Sequence, residues 1–579
     1  MYKILMPNGH YLEGEFKLSF ELNNLVFSTS DATVLPGSFT FPTDVPLSGA
    51  NKALLGHPHL VTNASNWQTF EGVWVECYGA KMFYGTLKIT GCNQKQCKVN
   101  IVANPIGKLK DIKLSNLDLG GERDHSGYAT WSLLMFDTTR FPEDWDFVFV
   151  PMYQEERNDY PFDSGDPNNL VYPYYNRFEI SPGLSFNSDS GALVPFVKLE
   201  YLLQQIFAAQ DTGFSFVNAW QTDIELRRLY LFNNWDMRTL NTGGTPDLPS
   251  DINLANHVPD ITIAEMLKKV ISQWALGLFT DIFSRSIRLV PLQTILQRPP
   301  KHDWTAHVIS DNSLEAPDSP PLRYNYDQPE ELPYDVPAPE DIETVFNTLA
   351  DFNAALPLAD GYYYIETEMS IVLVDNTWPF DIKQAWLQHR GVVLDTDGER
   401  LDTGMTTLLH YNFSELYNAP VVASRFYETT DENGDPVWER HVTDPPVALF
   451  FYRGYNDIGL AQDFPVSCNH VWNSNEAADV RLDLTVDATP TATASRSLNW
   501  FGDYGLFETA HKTWAYMLRD GKHVTIQLKL PVADLVAFSF EDKVRIGNMD
   551  YFVKKLRISR PVDDLKKLVF VEASMVSVI

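Results

Sequence analysis

The chain runs to 579 residues with 44% hydrophobic and 21% charged side chains, ordinary for a folded protein but too long for one hydrophobic core, so about three to five domains are expected. No apolar run approaches the roughly 20 residues that a membrane-crossing helix requires. Forty-five Lys and Arg against 76 Asp and Glu leave a net charge of −31, which repels nucleic acid and anionic lipid; binding DNA through its phosphates is disfavoured, whereas letting DNA pass without sticking is not.

The opening stretch MYKILMPNGHYLEGEF lacks the apolar segment and small-residue cleavage site of a secretory signal, so no export is implied. Residues 15–104 read as a β-domain. Phe16, Leu18, Phe20 and Leu22 alternate with polar neighbours, as do Val73, Val75 and Cys77, then Leu87 and Ile89, then Val99 and Ile101. Lys81 to Tyr84, bounded by Gly79 and Gly85, suits a hairpin. The Pro- and Gly-rich stretch from Val34 to His59 carries Phe39, Phe41, Val45, Leu54 and Leu55, too many apolar residues to leave in water, and is expected to pack as an ordered arm.

Residues 141–180 are dense in aromatics, among them Trp145, Phe147, Phe149, Tyr153, Tyr160, Phe162, Tyr172, Tyr174, Tyr175 and Phe178. A sugar-binding platform has this composition; so does the packed flank of a β-domain, and the alternation of Trp145, Phe147 and Phe149 favours the flank. A pattern then occurs twice. Leu199, Leu202, Leu203, Ile206 and Phe207 form one helical stripe, followed by a strand-like run from Phe214 to Val217. Ile263, Met266, Leu267, Val270, Ile271, Trp274 and Ala275 form the second stripe, with Thr262 and Glu265 as a capping box. Leu278 to Phe283 and Ile287 to Val290 then read as strands about a turn at Ser284 to Ser286. Each unit has a helix face to be covered and a strand to help cover it, which points to α+β modules. Asp223 to Asn234 reads as a further strand or extended edge.

Glu315 to Glu343 holds nine acids, one arginine and many prolines, the composition of a linker or extended arm. Beyond it Tyr362 to Asp375 and Arg425 to Val442 alternate, and Gly505 to Leu518 forms an amphipathic helix through Phe507, Ala510, His511, Trp514, Met517 and Leu518. The C-terminus ends in strands over 524–530, 544–546, 552–558 and 568–571, whose edges a closed or nearly closed antiparallel barrel would protect.

Chemical signatures are sparse. HExxH, GxSxG, Walker A and a strand-borne GxGxxG do not occur. Cys77, Cys92, Cys97 and Cys468 are too few and too irregular for a disulfide framework and are read as buried free thiols. His57 and His59 lie close together, but no further ligand is spaced for zinc. The turns at 395–399 (DTDGE) and 431–435 (DENGD) hint at calcium loops without the full ligand pattern, and as hairpin turns they need no ion. The reading therefore assigns no catalytic, cofactor-binding or metal residues and no cofactor.

Four stretches together carry a resemblance: LPGSFTFPTDVPLSGANKALLGHPHL with FYGTLKIT; VPFVKLEYLLQQIFAAQDTGFSF with DIELRRLYLFNN; TIAEMLKKVISQWALGLFTDIFSRSIRLVPL with HDWTAHVI; and VTIQLKLPVADLVAFSFEDKVRIGNMDYFVKKLRI. In this order they resemble the tail-tip or baseplate hub proteins of phages and prophages of Bacteroidetes-type bacteria, similar in architecture to the hub of contractile phage tails. The resemblance implies a β-rich α+β multidomain fold: two antiparallel β-barrel domains with intervening α+β domains, assembled as a ring. It divides the chain into a barrel-like domain over 1–118 with its arm at 34–59, α+β units over 119–240 and 241–314, the linker or arm over 315–345, a β-rich domain over 346–520, and strands over 521–579 that complete the second barrel. It further implies a non-enzymatic homotrimer in the virion, assembled in the host cytoplasm. That homotrimer would contact the tail tube or distal tail protein and a spike or fibre, and would surround a channel for DNA that we expect Asp and Glu to line. The alternative is a cell-surface glycan-binding protein or glycosidase of the tail tip.

Overall fold

Strand periodicity at both ends of the chain converges on one sheet in the computed structural model. The structure describes residues 2–16, 18–23, 38–63, 67–103, 111–120, 122–124, 131–153, 174–179, 185–186, 193–208, 214–222, 224–233, 237, 239–240, 246–247, 251–281, 286–309, 313–315, 323–325, 341–366, 370–374, 385–390, 400–402, 405–407, 409–411, 421–423, 429–430, 436–437, 447–456, 464–468, 470–472, 494–498, 505–563 and 566–578. It is a β-rich α+β multidomain chain built around a 13-stranded sheet and several smaller ones.

In the N-terminal part, strands Tyr2–Leu5, Thr69–Cys77, Ala80–Cys92, Gln96–Ala103, Ser38–Thr40 and Phe20–Asn23 follow one another across the sheet, all antiparallel. Every second side chain enters the core: Val73, Val75, Cys77, Phe83, Leu87, Val99 and Ile101 are buried, as a half-buried pleated surface demands. The hairpin turns at Tyr78 and Gly79, both at positive φ (51° and 81°), the backbone of a two-residue loop matched to strand twist. Lys81–Tyr84 lie in its second strand, which runs on through Gly85.

The described part of the arm does pack. Ser38–Thr40 and Thr43–Pro46 pair with Gln96–Ala103, and helix Gly49–Leu54 follows, with Val45 and Leu55 buried. The buried Asn51 side chain donates to the carbonyls of Glu13 and Pro46 at 2.8 Å each and accepts from the Glu13 amide at 2.9 Å.

The cysteines correct one expectation. Cys92 and Cys97 are disulfide-bonded; they are cross-strand partners at the mouth of the hairpin between Ala80–Cys92 and Gln96–Ala103, with Cα atoms 4.1 Å apart. A spacing that looks irregular in sequence becomes a facing pair once the loop closes. Cys77 is buried and lies outside any disulfide, as expected.

The two helix-and-strand units share one core. Helices Leu199–Ala208 and Ile263–Gln273 bury every residue of their apolar stripes. Strand Ser215–Asn218 from the first unit adds in parallel to the hairpin Leu276–Asp281 and Ser286–Pro291 of the second, giving one three-stranded sheet. Phe207 stacks on Phe216 with centroids 4.5 Å apart, and Trp220 meets Trp274 at 4.6 Å. The capping box forms: the Thr262 hydroxyl accepts from the Glu265 amide at 3.2 Å, and the Glu265 carboxylate accepts from the Thr262 amide at 2.7 Å. The Thr262 amide, and its hydroxyl donating at 2.8 Å, hold the Glu265 carboxyl below the usual carboxylate range.

Residues 505–520 depart from a regular helix. Phe507–His511 is a π-helical turn leading into α-helix Lys512–Asp520. The wider turn buries His511, Trp514, Met517 and Leu518 while Phe507 stays only partly covered. Trp514 packs edge-on against Phe552 at 5.1 Å, which joins the α+β core to the outside of the C-terminal sheet.

Candidate assembly site

Strand Phe20–Asn23 ends the N-terminal series and pairs antiparallel with the strand Met549–Asp563, matching Phe20 with Ile558, Glu21 with Arg557, Leu22 with Leu556 and Asn23 with Lys555. Phe20 and Ile558 lie inside a hydrophobic core that spans both ends of the chain. On the outer side Lys555 and Glu21 form an ion pair at 2.9 Å, and the Arg557 guanidinium sits 4.8 Å from the Phe41 ring. The N-terminal sheet curls until Tyr2, on its first strand, meets this seam: the Tyr2 hydroxyl donates to the Ser559 carbonyl, and its ring lies 6.0 Å from Phe20. Burial pushes the Tyr2 phenol well above its ordinary pKa, so it stays a donor.

The C-terminal strands close into a barrel. Lys543–Ile546, Met549–Asp563, Leu568–Val578 and His523–Pro531 pair in that order. The circuit is completed by residues 301–315, here termed the strap. Its His302–Asp303 pairs with Val544 and Arg545, Val308 bridges Leu528, and Ser313–Glu315 pairs with His523 to Thr525. Trp304, at the strap's centre, is 1% exposed and packs on Phe538 at 5.3 Å. Closure removes two sheet edges that otherwise invite misassembly.

A cluster of charges fixes this barrel to the α+β core. Glu541, 7% exposed, lies 2.8 Å from Arg288 and 3.5 Å from Arg298. Asp542 meets Lys301 at 3.0 Å and His302 at 3.1 Å. Burial works to raise the Asp542 pKa, but the hydrogen bonds with His302 and Lys301 outweigh it and hold the carboxyl below the usual range. The Lys543 ammonium donates to the Leu296 carbonyl at 2.7 Å while burial depresses its pKa.

The charge of the chain is segregated. The spans 1–103, 301–315 and 521–579, whose described residues build the two curled bodies, hold 18 Lys and Arg against 17 Asp and Glu; all other residues hold 27 against 59. The net charge of −31 therefore lies outside the barrels.

The candidates for chemistry are dispersed. The rings of His57 and His59 are 6.1 Å apart, and among the described residues no group of three or more His, Cys, Asp and Glu side chains is placed to hold a metal. Phe147 and Phe149 are buried and, with Trp145, meet edge to face at 5.6 and 5.7 Å, as a packed flank does. The turns at 395–399 and 431–435 lie outside the described residues, as do Tyr153's neighbours Tyr160, Phe162 and Tyr172. No described helix is long and apolar enough to cross a membrane. Sequence reasoning counted HDWTAHVI among the resembling stretches and set residues up to 314 in the second α+β unit, without singling out the strap's pairing or the 541–543 cluster. Their only local signal is a tryptophan between His302 and His307, which carries no period.

Comparison with known proteins adds little. No family model and no curated protein matches the chain. Among solved structures it is similar to the 43 kDa tail protein of prophage MuSo2 from Shewanella oneidensis, with 7% identity, 99% of this chain and 95% of that chain covered, and a TM-score of 0.27. A likeness so slight does not define the fold or the role of this chain.

Proposed function

We propose that the chain is a structural protein of a phage tail, acting as a baseplate or tail-tip hub. The observation that carries this reading is the pair of curled β-bodies, one from each end of the chain, joined side by side through Phe20–Asn23 and Lys555 to Ile558. Two curled bodies per chain and three chains about an axis would supply six contacts to a sixfold tube while leaving a threefold face below; closed symmetry of this kind is the ordinary route for one gene product to form a ring. The motif resemblance from 35 to 558 supports the same reading. The α+β core, tied on by the 541–543 cluster, would hang below the ring about the same axis and hold a spike or fibre. Because the barrels carry no net negative charge, an acidic channel lining would come from the intervening residues. Immunogold labelling of purified virions tests the reading: label at the tail tip supports it, and label confined to the capsid, or none at all, removes it.

A hydrolase reading loses its motive where Trp145, Phe147 and Phe149 pack into the core. Release of reducing sugar from host polysaccharide by the purified chain would restore it.

A further inference from the structure

Two surfaces of this chain are complementary in charge, and neither belongs to the seam or the strap. The first is the outer face of the N-terminal sheet. Strand alternation places Lys3 and Leu5, then Trp74 and Glu76, on the side opposite the core, and Lys81 and Tyr84 come alongside in register. Trp74 and Tyr84 lie 4.8 Å apart, the Lys81 ammonium sits 4.7 Å from the Trp74 ring, and the Lys3 ammonium sits 5.5 Å from the Tyr11 ring. Tyr11, 45% exposed, donates to the buried Glu76 carboxylate at 2.9 Å, so the one acid in the cluster is already engaged. Aromatic rings rimmed by cations, held on a rigid sheet, make the composition of an interface hot spot.

The second surface is the small unit over 341–374, which contains Asp341, Glu343, Asp351, Asp360, Glu366 and Glu368 and no Lys or Arg. Among the described residues its strand Ile342–Phe346 is the outermost of a four-stranded sheet, paired on one side only with Gly361–Ile365. Glu343 and Thr344 are exposed and Val345 is 52% exposed. An outer strand with an apolar side chain in water and acids along it is an edge that wants a cover.

We propose that the Lys3–Tyr11–Trp74–Lys81–Tyr84 face of one chain docks on the acidic edge strand Ile342–Phe346 of a second copy. The contact is heterologous, a different patch on each partner, so repeating it gives a ring when the rotation closes and an open filament when it does not; the ring proposed above requires the first. Charge complementarity selects the occupant, because the chain carries its negative charge outside the barrels and a neighbouring copy presents it in fixed proportion. This inference rests on the ring assembly proposed above and assigns that ring a contact.

The test is charge exchange in the full-length chain, with native mass spectrometry as readout and circular dichroism as the folding control. Lys3→Glu with Lys81→Glu, and separately Glu343→Lys with Glu366→Lys, are each expected to raise the dissociation constant of the assembly about tenfold or more. Carrying all four changes in one chain is expected to restore it. If a reversal perturbs folding, the milder Lys3→Ala with Lys81→Ala replaces it. An assembly that persists unchanged in both reversals overturns the docking contact and leaves the tail role standing. Unchanged assembly with lost binding to DNA or anionic polysaccharide also overturns it, assigning the face to that ligand instead. A wild-type chain that stays monomeric while the gold label still marks the tail tip overturns the ring and the contact together.

Discussion

Replacing Trp304 by Ala probes whether the strap closes the C-terminal barrel. The indole is 1% exposed and packed, tilted, against Phe538 and His302, with centroids at 5.3 and 6.4 Å. Truncation to a methyl group leaves a cavity and costs about 3–5 kcal/mol. Only the strap and its barrel share this contact, so the loss falls on local opening of residues 301–315. The Trp304 amide donates to the Arg545 carbonyl at 2.9 Å and the Ile309 amide to the Gln527 carbonyl at 3.0 Å. Hydrogen exchange at these two amides reads that opening directly. A loss of about 3–5 kcal/mol corresponds to roughly two to three and a half orders of magnitude in protection at about 1.4 kcal/mol per decade. Trp304→Phe is expected to cost much less, because it keeps an aromatic ring and removes an indole N–H that has no protein partner. The closure argument fails if Trp304→Ala leaves protection at both amides within threefold of wild type, or if the loss spreads evenly over the N-terminal sheet.

Other expectations follow from single sites. A Cβ at Gly521 would stand 2.3 Å from the Met517 carbonyl oxygen and 2.7 Å from that of Ser577, so Gly521→Ala must push backbone apart where helix Lys512–Asp520 meets the barrel; a loss of about 2 kcal/mol or more is expected in thermal melts. Asn51→Leu removes three hydrogen bonds that tie the arm to Glu13 and Pro46; at about 1 kcal/mol each the arm loosens by about 3 kcal/mol, visible as faster proteolysis within 43–59. Burial lowers the His511 pKa from 6.5 to about 4. The unfolded chain therefore binds a proton that the folded chain refuses between those values, and stability falls as pH drops from about 6.5 towards 4, by on the order of 3 kcal/mol. Denaturant midpoints measured across that window are expected to slope down for wild type and to flatten for His511→Gln.

What the sequence discloses depends on range. Stripes such as Leu199 to Phe207 and Ile263 to Trp274, and the capping box at Thr262, are local, and the structure places those helices where the periodicity does. The hairpin strands about Gly79 follow from period-two alternation. The seam between Phe20 and Ile558 joins residues more than 500 positions apart and leaves no local trace, since Leu22 and Leu556 alternate like any strand residues. The strap is legible only as a tryptophan among histidines. The disulfide escaped because Cys92 and Cys97 face each other only after the loop is formed. The π-helical turn at Phe507–His511 shifts a stripe that an ideal helix would have run straight. Charge segregation was countable throughout but gains meaning only when the barrel residues are known.

The most direct test of the central claim, that two joined β-bodies per chain form part of a ring, is the native mass and symmetry of the assembled protein. The account predicts a species about three times the 65.9 kDa chain, with six similar β-bodies around an axial opening in particle averages. A species of one chain mass at every concentration, with no ring in the images even alongside tail tube, would contradict it.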